Sequence, residues 1–580
     1  MIENQVEGVS ASVFQRFWRW RLENSPEFAT AIGEHAFDDR LDEMSFSSYL
    51  RRQSSAKEFL REIEDILAVV PSSNRDVLMN LELLCEDLKG YVDGVGYKSY
   101  LWPLNRLEGP QSDFPRLISY MKKDDMGDFN NILNRFKLFA QQIDETISLL
   151  QEGMNLGLTM HMISISPVPN QLFAIAQKPV EASDFFKPFQ SKPNKFSYNE
   201  WSNLTTTAKS LINSSVYPAY KRLGDFLSNT YMKNTRAEIA ISSLPGGKDL
   251  YAKCLKFHTT TNLTAEEVHD IGKREVQRIL SAMEEVKTKT KFQGTLADFR
   301  AYMRTDSKFK FNNASEMLAT YNNLRAQIAQ QLPKYFTKLP ESQYVIEPVP
   351  EDIAPNFPGA YYRAPSKDGS RPGTFMINTY LPETRNNYEC VCLSLHEAEP
   401  GHHLQSSLTM ESTSLVEFRR FMEDRKYYEP PARFAMNTAY SEGWALYAEY
   451  LGEEMGLYTD PYDMFGRLSH EMLRACRLVV DTGMHALGWS RDDAIQFMLN
   501  NTAASKHDIE AEIDRYITWP GQACGYKIGE IKIKEMRSKA ERALGKKFKL
   551  KAFHNLIASM GGVPISMLER KIDLFIQDGM

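Results

Sequence analysis

The segment His396-Glu397-Ala398-Glu399-Pro400-Gly401-His402-His403 crowds three of the chain's 11 histidines into eight residues, interleaved with carboxylates. Imidazole nitrogens and carboxylate oxygens are the donors that hold a zinc ion, and a carboxylate beside such an ion can take a proton from water. On an unbroken helix, His-Glu-x-x-His supplies two ligands and the base, because residues four apart share a face. Here the residue four places after His396 is Pro400, and the next histidines stand six and seven places along. Proline removes a helical N–H and crowds the preceding turn, and glycine admits unusual backbone angles, so the helix is expected to break or bulge between the histidines. Looping out two residues returns His402 to the position of the second ligand; His403 would need three. The spacing therefore favours His396 and His402 as ligands with Glu397 as general base, and leaves His403 as the alternative second histidine.

A third ligand is expected from a separate helix, as a glutamate set among small and aromatic residues that pack while it alone faces the metal. Tyr440-Ser441-Glu442-Gly443-Trp444-Ala445-Leu446-Tyr447-Ala448-Glu449-Tyr450 has that form. Glu442 and Glu449 are seven apart and share a face, so either can reach inward. Glu449 also suits an outer position, orienting a ligand histidine. Further along, Arg477, Asp481 and His485 follow one another at four-residue intervals. Such a stripe can form an ion pair and orient the imidazole. An arginine in a cleft can clamp a peptide's terminal carboxylate, and Lys527 offers the same possibility.

The elements that must position these residues are mostly helices. SYLRRQSSAKEFLREIEDILAVV, NNILNRFKLFAQQIDETISLLQEGM and EEVHDIGKREVQRILSAMEEVKTKT all place apolar residues at three- and four-residue intervals. Thr264-Ala265-Glu266-Glu267 reads as a capping box. Two stretches, 165–196 and 347–373, are proline-rich and aperiodic and read as long surface connections. Around the second, Ala360 to Arg363 and Gly373 to Asn378 flank Asp368-Gly369 and fit a short strand pair. The strand ending at Asn378 is a candidate to bind substrate backbone as an added strand. A soft boundary is expected near residue 335, dividing an N-terminal helical region, 1–335, from a catalytic region, 336–580, within one continuous fold.

Composition limits the partners. The 580 residues are 42% hydrophobic and 25% charged, an ordinary globular balance. The net charge of −6, from 75 acidic and 69 basic residues, includes no basic block of the kind that follows a phosphate backbone, so nucleic acid is not an expected partner. Six cysteines, none in a CxxC pair, are expected as buried free thiols. No apolar run is long enough to span a membrane, and the first residues carry no signal-peptide pattern, so the chain reads as soluble and cytoplasmic. Five Asn-x-Ser/Thr tripeptides, at Asn203, Asn213, Asn262, Asn313 and Asn500, point the other way, toward a secreted protein whose leader is missing.

Several stretches together resemble the bacterial domain-of-unknown-function 885 family: EGPQSDFP, LPGGKDLYAKCLKFHTTTNLTAEEVHDIGKREVQRI, GTFMINTY, HEAEPGHHLQ, SEGWALYAEY, RLVVDTGMHALGW and YITWPGQACGYKIGE. They are spread over nearly the whole chain. The family is more distantly similar to helical zinc peptidases related to thimet oligopeptidase, carboxypeptidase Taq and angiotensin-converting enzyme. Matching their His-Glu-x-Gly-His to this sequence sets Gly-His on Gly401-His402 and leaves two inserted residues. Carboxypeptidase Taq also spaces a ligand glutamate and a second glutamate as Glu442 and Glu449 are spaced. The resemblance implies a mainly α, zincin-like fold with a deep cleft and a small β-hairpin or sheet near the site. It further implies one zinc ion per chain and a peptide substrate. Tyr526 resembles the tyrosine of a glycine-rich segment that closes over substrate in thimet-type peptidases, and so is the first candidate to stabilise the oxyanion; His485 is the second. A zinc hydrolase of a non-peptide amide or ester, and an inactive peptidase-like binding protein, are the competing readings.

Overall fold

Helices carry the fold in a computed structural model that describes residues 2–351, 354 and 359–579. The chain forms two compact units. One comprises Met1–Lys253, Glu423–Ala435 and Ile517–Trp519; the other comprises Cys254–Met422, Met436–Tyr516 and Pro520–Met580. Residue 335, where a boundary was expected, closes the helix Ala314–Tyr335 inside the second unit. Among the described residues no helix is long and apolar enough to cross a membrane. All six cysteines are buried and none is joined to another in a disulfide.

In the first unit the helix Phe46–Leu67 starts on a Ser45 cap and buries Tyr49, Ala56 and Ile63, which recur every seventh residue on one face. The helix Met126–Asn155 opens with a capping box from Asp125 and Asp128 and buries Phe129, Phe136 and Phe139. Phe129 packs on Phe189 and Trp201, Phe136 on Phe185, and Phe139 on Tyr220. The proline-rich stretch 165–196 is therefore not a surface connection. It contains the helix Val168–Gln177, whose Pro169 sits in the first turn where no N–H is required, and it buries Leu172, Phe185 and Phe189. Large aromatics buried this way contribute about 1.5–3 kcal/mol each, which outweighs the local turn signal.

The second unit is built on two helix pairs. The helix Ala265–Lys289, begun by the Thr264/Glu267 capping box, lies along Pro461–Ala486. Thr438–Glu454 lies along Cys524–Leu544. In the second pair the backbones touch at two glycines. A Cβ on Gly443 would stand 2.4 Å from the carbonyl carbon of Gly529, so no side chain fits between them.

A three-stranded sheet completes the unit: β1 (Tyr344–Pro348), β2 (Ala360–Arg363) and β3 (Gly373–Ile377), in the order β1-β3-β2. The strand pair expected from sequence is the antiparallel β2/β3 pair, with Tyr362 opposite Phe375. β1 adds to the other edge of β3 in parallel, with Ile346 opposite Phe375. β3 is consequently buried along its length and has no free edge. It cannot take up a substrate backbone as an added strand, and Asn378, just beyond it, is enclosed: its side chain donates to the Ala354 carbonyl at 2.8 Å and accepts from the Tyr380 N–H at 3.0 Å.

Candidate metal centre

A short helix, Cys390–Leu393, runs into a single π-turn, Ser394–Ala398, that carries His396 and Glu397. Glu399 is extended, and a new helix starts at His402 and runs to Met410. The chain is thus broken between the two histidines, and Gly401 makes the break possible, since a Cβ there would lie 1.9 Å from the His396 carbonyl oxygen. The indole N–H of Trp444 donates to the Pro400 carbonyl at 2.8 Å, pinning the break to the helix that carries Glu442.

That folding brings His396, His402 and Glu442 together, with one ligand atom from each inside a 4.8 Å cluster. The Nε2 atoms of His396 and His402 lie 3.4 and 3.5 Å from Glu442 Oε2, and the two rings are perpendicular, 4.9 Å apart. Yet Glu442 Oε2 is buried and makes no hydrogen bond. Three donor atoms converge on one point without satisfying one another, which is how ligands are arranged around an ion. Burial opposes ionisation of Glu442, but the imidazoles of His402 and His396 outweigh it and hold the carboxyl well below the usual range. Two nitrogens and a carboxylate oxygen are a donor set that suits zinc, and the described residues fit that ion.

Glu449 takes the outer position. Its Oε1 lies 2.7 Å from His396 Nδ1, and a carboxylate only accepts, so Nδ1 carries a proton and Nε2 is the nitrogen that faces Glu442. Burial disfavours a charged His396, but the carboxylates of Glu442 and Glu449 beside it outweigh that and push the imidazole up to about 9. Glu397 follows His396 on the same π-turn and is half-buried.

His403 faces the other way. Tyr362 of β2 lies 2.9 Å from its Nδ1, and its Nε2 lies 3.1 Å from the Ser342 carbonyl. Both nitrogens are occupied, and burial pushes the imidazole down to about 4. The structure therefore joins His402, not His403, to the cluster.

Tyr526 lies on the helix Cys524–Leu544, and its hydroxyl accepts from Arg515 Nη2 at 3.1 Å and Gln522 Nε2 at 3.4 Å. With both lone pairs engaged, its O–H is left to donate. Arg477 does not pair with Asp481; it donates to Glu512 at 2.7 Å and to the Tyr516 hydroxyl at 2.8 Å. Asp481 instead accepts from the Gly521 N–H at 3.1 Å, and His485 Nε2 donates to the Tyr516 carbonyl at 2.9 Å. Those two are held by neighbouring backbone, which is anchoring. Lys527 is buried among Glu471, Glu530 and Glu275, at 2.6, 2.5 and 3.0 Å, and so holds helices together in place of a substrate.

Sequence reasoning missed His470 and Arg474. The His470 ring, Glu449 and Cys392 form a second group whose donor atoms lie within 4.8 Å of one another. Burial, with Arg474 next to it, pushes His470 down to about 3. The available signal was periodicity, since His470, Arg474 and Arg477 share a face of the helix Pro461–Ala486.

Residues 26–572 match the model of the family described as "Bacterial protein of unknown function (DUF885)". The chain belongs to the DUF885 family. Two solved structures resemble this DUF885 member over nearly their whole length. One, described as "the putative lipoprotein from Colwellia psychrerythraea", is 25% identical, covers 100% of each chain and has a TM-score of 0.90. The other, "a putative lipoprotein of unknown function from Shewanella oneidensis", is 18% identical, with 97% of this chain and 99% of that one covered and a TM-score of 0.71. No curated protein matches the sequence.

Proposed function

We propose that this DUF885 chain is a zinc-dependent peptidase. The observation that carries the reading is the convergence of His396 Nε2 and His402 Nε2 on the buried, hydrogen-bond-free Oε2 of Glu442. Those three side chains would hold the ion. Zinc held there supplies Lewis-acid chemistry, polarising a carbonyl and making water a better nucleophile.

The chain's own groups do the rest. Glu449 keeps His396 in the tautomer that a ligand needs. Glu397 takes the proton from attacking water and returns it to the leaving amine. Tyr526, whose lone pairs are held by Arg515 and Gln522, presents its O–H to the developing oxyanion. The resemblance to helical zinc peptidases supports peptides as the substrate. The description of the Colwellia psychrerythraea neighbour as a "putative lipoprotein" supports a location at the cell envelope over the cytoplasm.

The test is elemental analysis of the purified protein, joined to digestion of a mixed peptide library with and without chelator. About one zinc per chain, with chelator-sensitive cleavage, is expected. Glu397→Gln should keep the zinc and lower turnover by about 10²–10⁴-fold, the range for loss of a general base. A protein that binds no zinc, or a Glu397→Gln variant as active as the wild type, would end this reading.

A further inference from the structure

The helix Pro461–Ala486 carries His470, Arg474 and Arg477 on one face. At one end of this stripe, His470 lies within 4.8 Å of the Glu449 carboxylate, which holds the ligand imidazole of His396. At the other, the Arg477 guanidinium lies 4.4 Å over the ring of Tyr526. Arg474 sits between them.

Both arginines are buried, with 8% and 4% of their surfaces exposed, and neither is saturated. Arg474 donates from Nη1 to the His470 carbonyl of its own helix at 3.3 Å, and its Nε has no partner. Arg477 engages Glu512 and Tyr516 but leaves Nη1 without one. Arg477 and Arg515 share the single carboxylate of Glu512, while Arg474 acts on Glu449. A second metal among Cys392, Glu449 and His470 would meet the positive charge of Arg474, whereas a carboxylate would be drawn to it.

We propose that Arg474 and Arg477 form a subsite for a substrate carboxylate beside the metal centre. A guanidinium matches a carboxylate through two parallel N–H donors, and two buried, unfinished guanidiniums one turn apart are built for such a group. The inference rests on the peptidase reading for the nature of the ligand. The carboxylate is either the free C-terminus of a peptide or an acidic side chain near it.

The experiment is titration calorimetry on the full-length, zinc-loaded protein with one uncleavable reduced-bond tripeptide. The peptide is prepared as the free acid, as the C-terminal amide, and as the amide ending in glutamate. The free acid should bind about 30-fold more tightly than the plain amide, the scale of a charge-assisted pair of hydrogen bonds. In Arg474→Gln that ratio should fall to about threefold or less. Tight binding by the glutamate amide, with the free acid no better than the plain amide, assigns the subsite to an acidic side chain. Should Arg474→Gln fail to fold, Arg474→Lys decides: charge without the planar fork should reduce the preference, and an unchanged preference overturns the proposal. Equal affinity for all three forms, or no binding of any, also overturns it. Chelator-sensitive cleavage in the digestion test would then leave the peptidase standing without this subsite. A clear free-acid preference in a protein that cleaves nothing would do the reverse.

Discussion

Arg425 commits each of its donor groups to a carboxylate, Nη1 to Glu27, Nη2 to Asp42 and Nε to Glu423, in a buried cluster of the first unit. Glu423 is shared with Arg21 and Arg433. Burial alone would raise its carboxyl, but the guanidiniums of Arg21 and Arg425 outweigh that and hold it down to about 2. The centre around Glu442 is buried too, but its Oε2 is left unbonded between two imidazoles. A buried cluster that neutralises itself holds elements together; one left unfinished is stable in function only with an external partner. Lys527, with its three carboxylates, belongs to the first kind and Arg474 to the second.

Four perturbations test that contrast. The largest effect is expected from Glu442→Gln, which removes a ligand charge: zinc affinity should fall by more than the 10–100-fold typical of outer partners, to about 10³-fold or beyond. Competition with a chelator of known affinity measures it. The metal-free protein should lose little stability, and a large loss would place Glu442 among the structural charges. Arg425→Met should do the opposite. Leaving Glu27, Asp42 and Glu423 without their shared partner should cost about 3–5 kcal/mol in denaturant unfolding, with zinc affinity unaltered. Glu449→Gln tests the position between the two kinds, and zinc affinity should drop about 10–100-fold because His396 loses the acceptor that fixes its tautomer.

The smallest effect concerns an imidazole that is fully satisfied. His554 donates from Nδ1 to the Tyr335 carbonyl at 3.0 Å and accepts at Nε2 from the Tyr447 hydroxyl at 2.8 Å. Burial pushes it down to about 3 from an ordinary 6.5. The unfolded chain takes up the proton first, so the contribution of His554 is complete above about pH 6.5 and is lost as the pH falls toward 3. Between pH 7 and 5.5 the wild type should lose about 1 kcal/mol more than His554→Gln does, measured by chemical denaturation at each pH.

Much of the metal centre was legible because its residues are rare types at short range. Histidine is scarce, so His396 and His402 stand out, and the Pro-Gly insertion between them required a break whose length favoured His402 over His403. The Glu442/Glu449 pair was legible as a pair, because a seven-residue interval puts both on one face. Their division of labour was left open, since periodicity gives the face and not the depth. Legibility failed where the partner comes from far along the chain. Arg477 and Asp481 are four apart and look paired, but Glu512 and the Gly521 N–H reach them first. Lys527 looks available until Glu471 and Glu275 are folded against it.

For the fold, helical periodicity and capping chemistry are local properties, and they sufficed to show a mainly helical chain with a β2/β3 pair. The parallel addition of β1, which closes the free edge of β3, pairs residues 29 apart in the chain, Tyr344 with Gly373, and no local signal encodes that. The proline-rich stretch 165–196 was misread for the same reason, because aromatic burial against a distant helix decided its place. By itself, then, the sequence determined which side chains could hold a metal and which face each occupies. Only the tertiary structure decided which of the buried charges are matched and which are not, because neutralising a charge in a protein interior takes partners that chain order does not bring together.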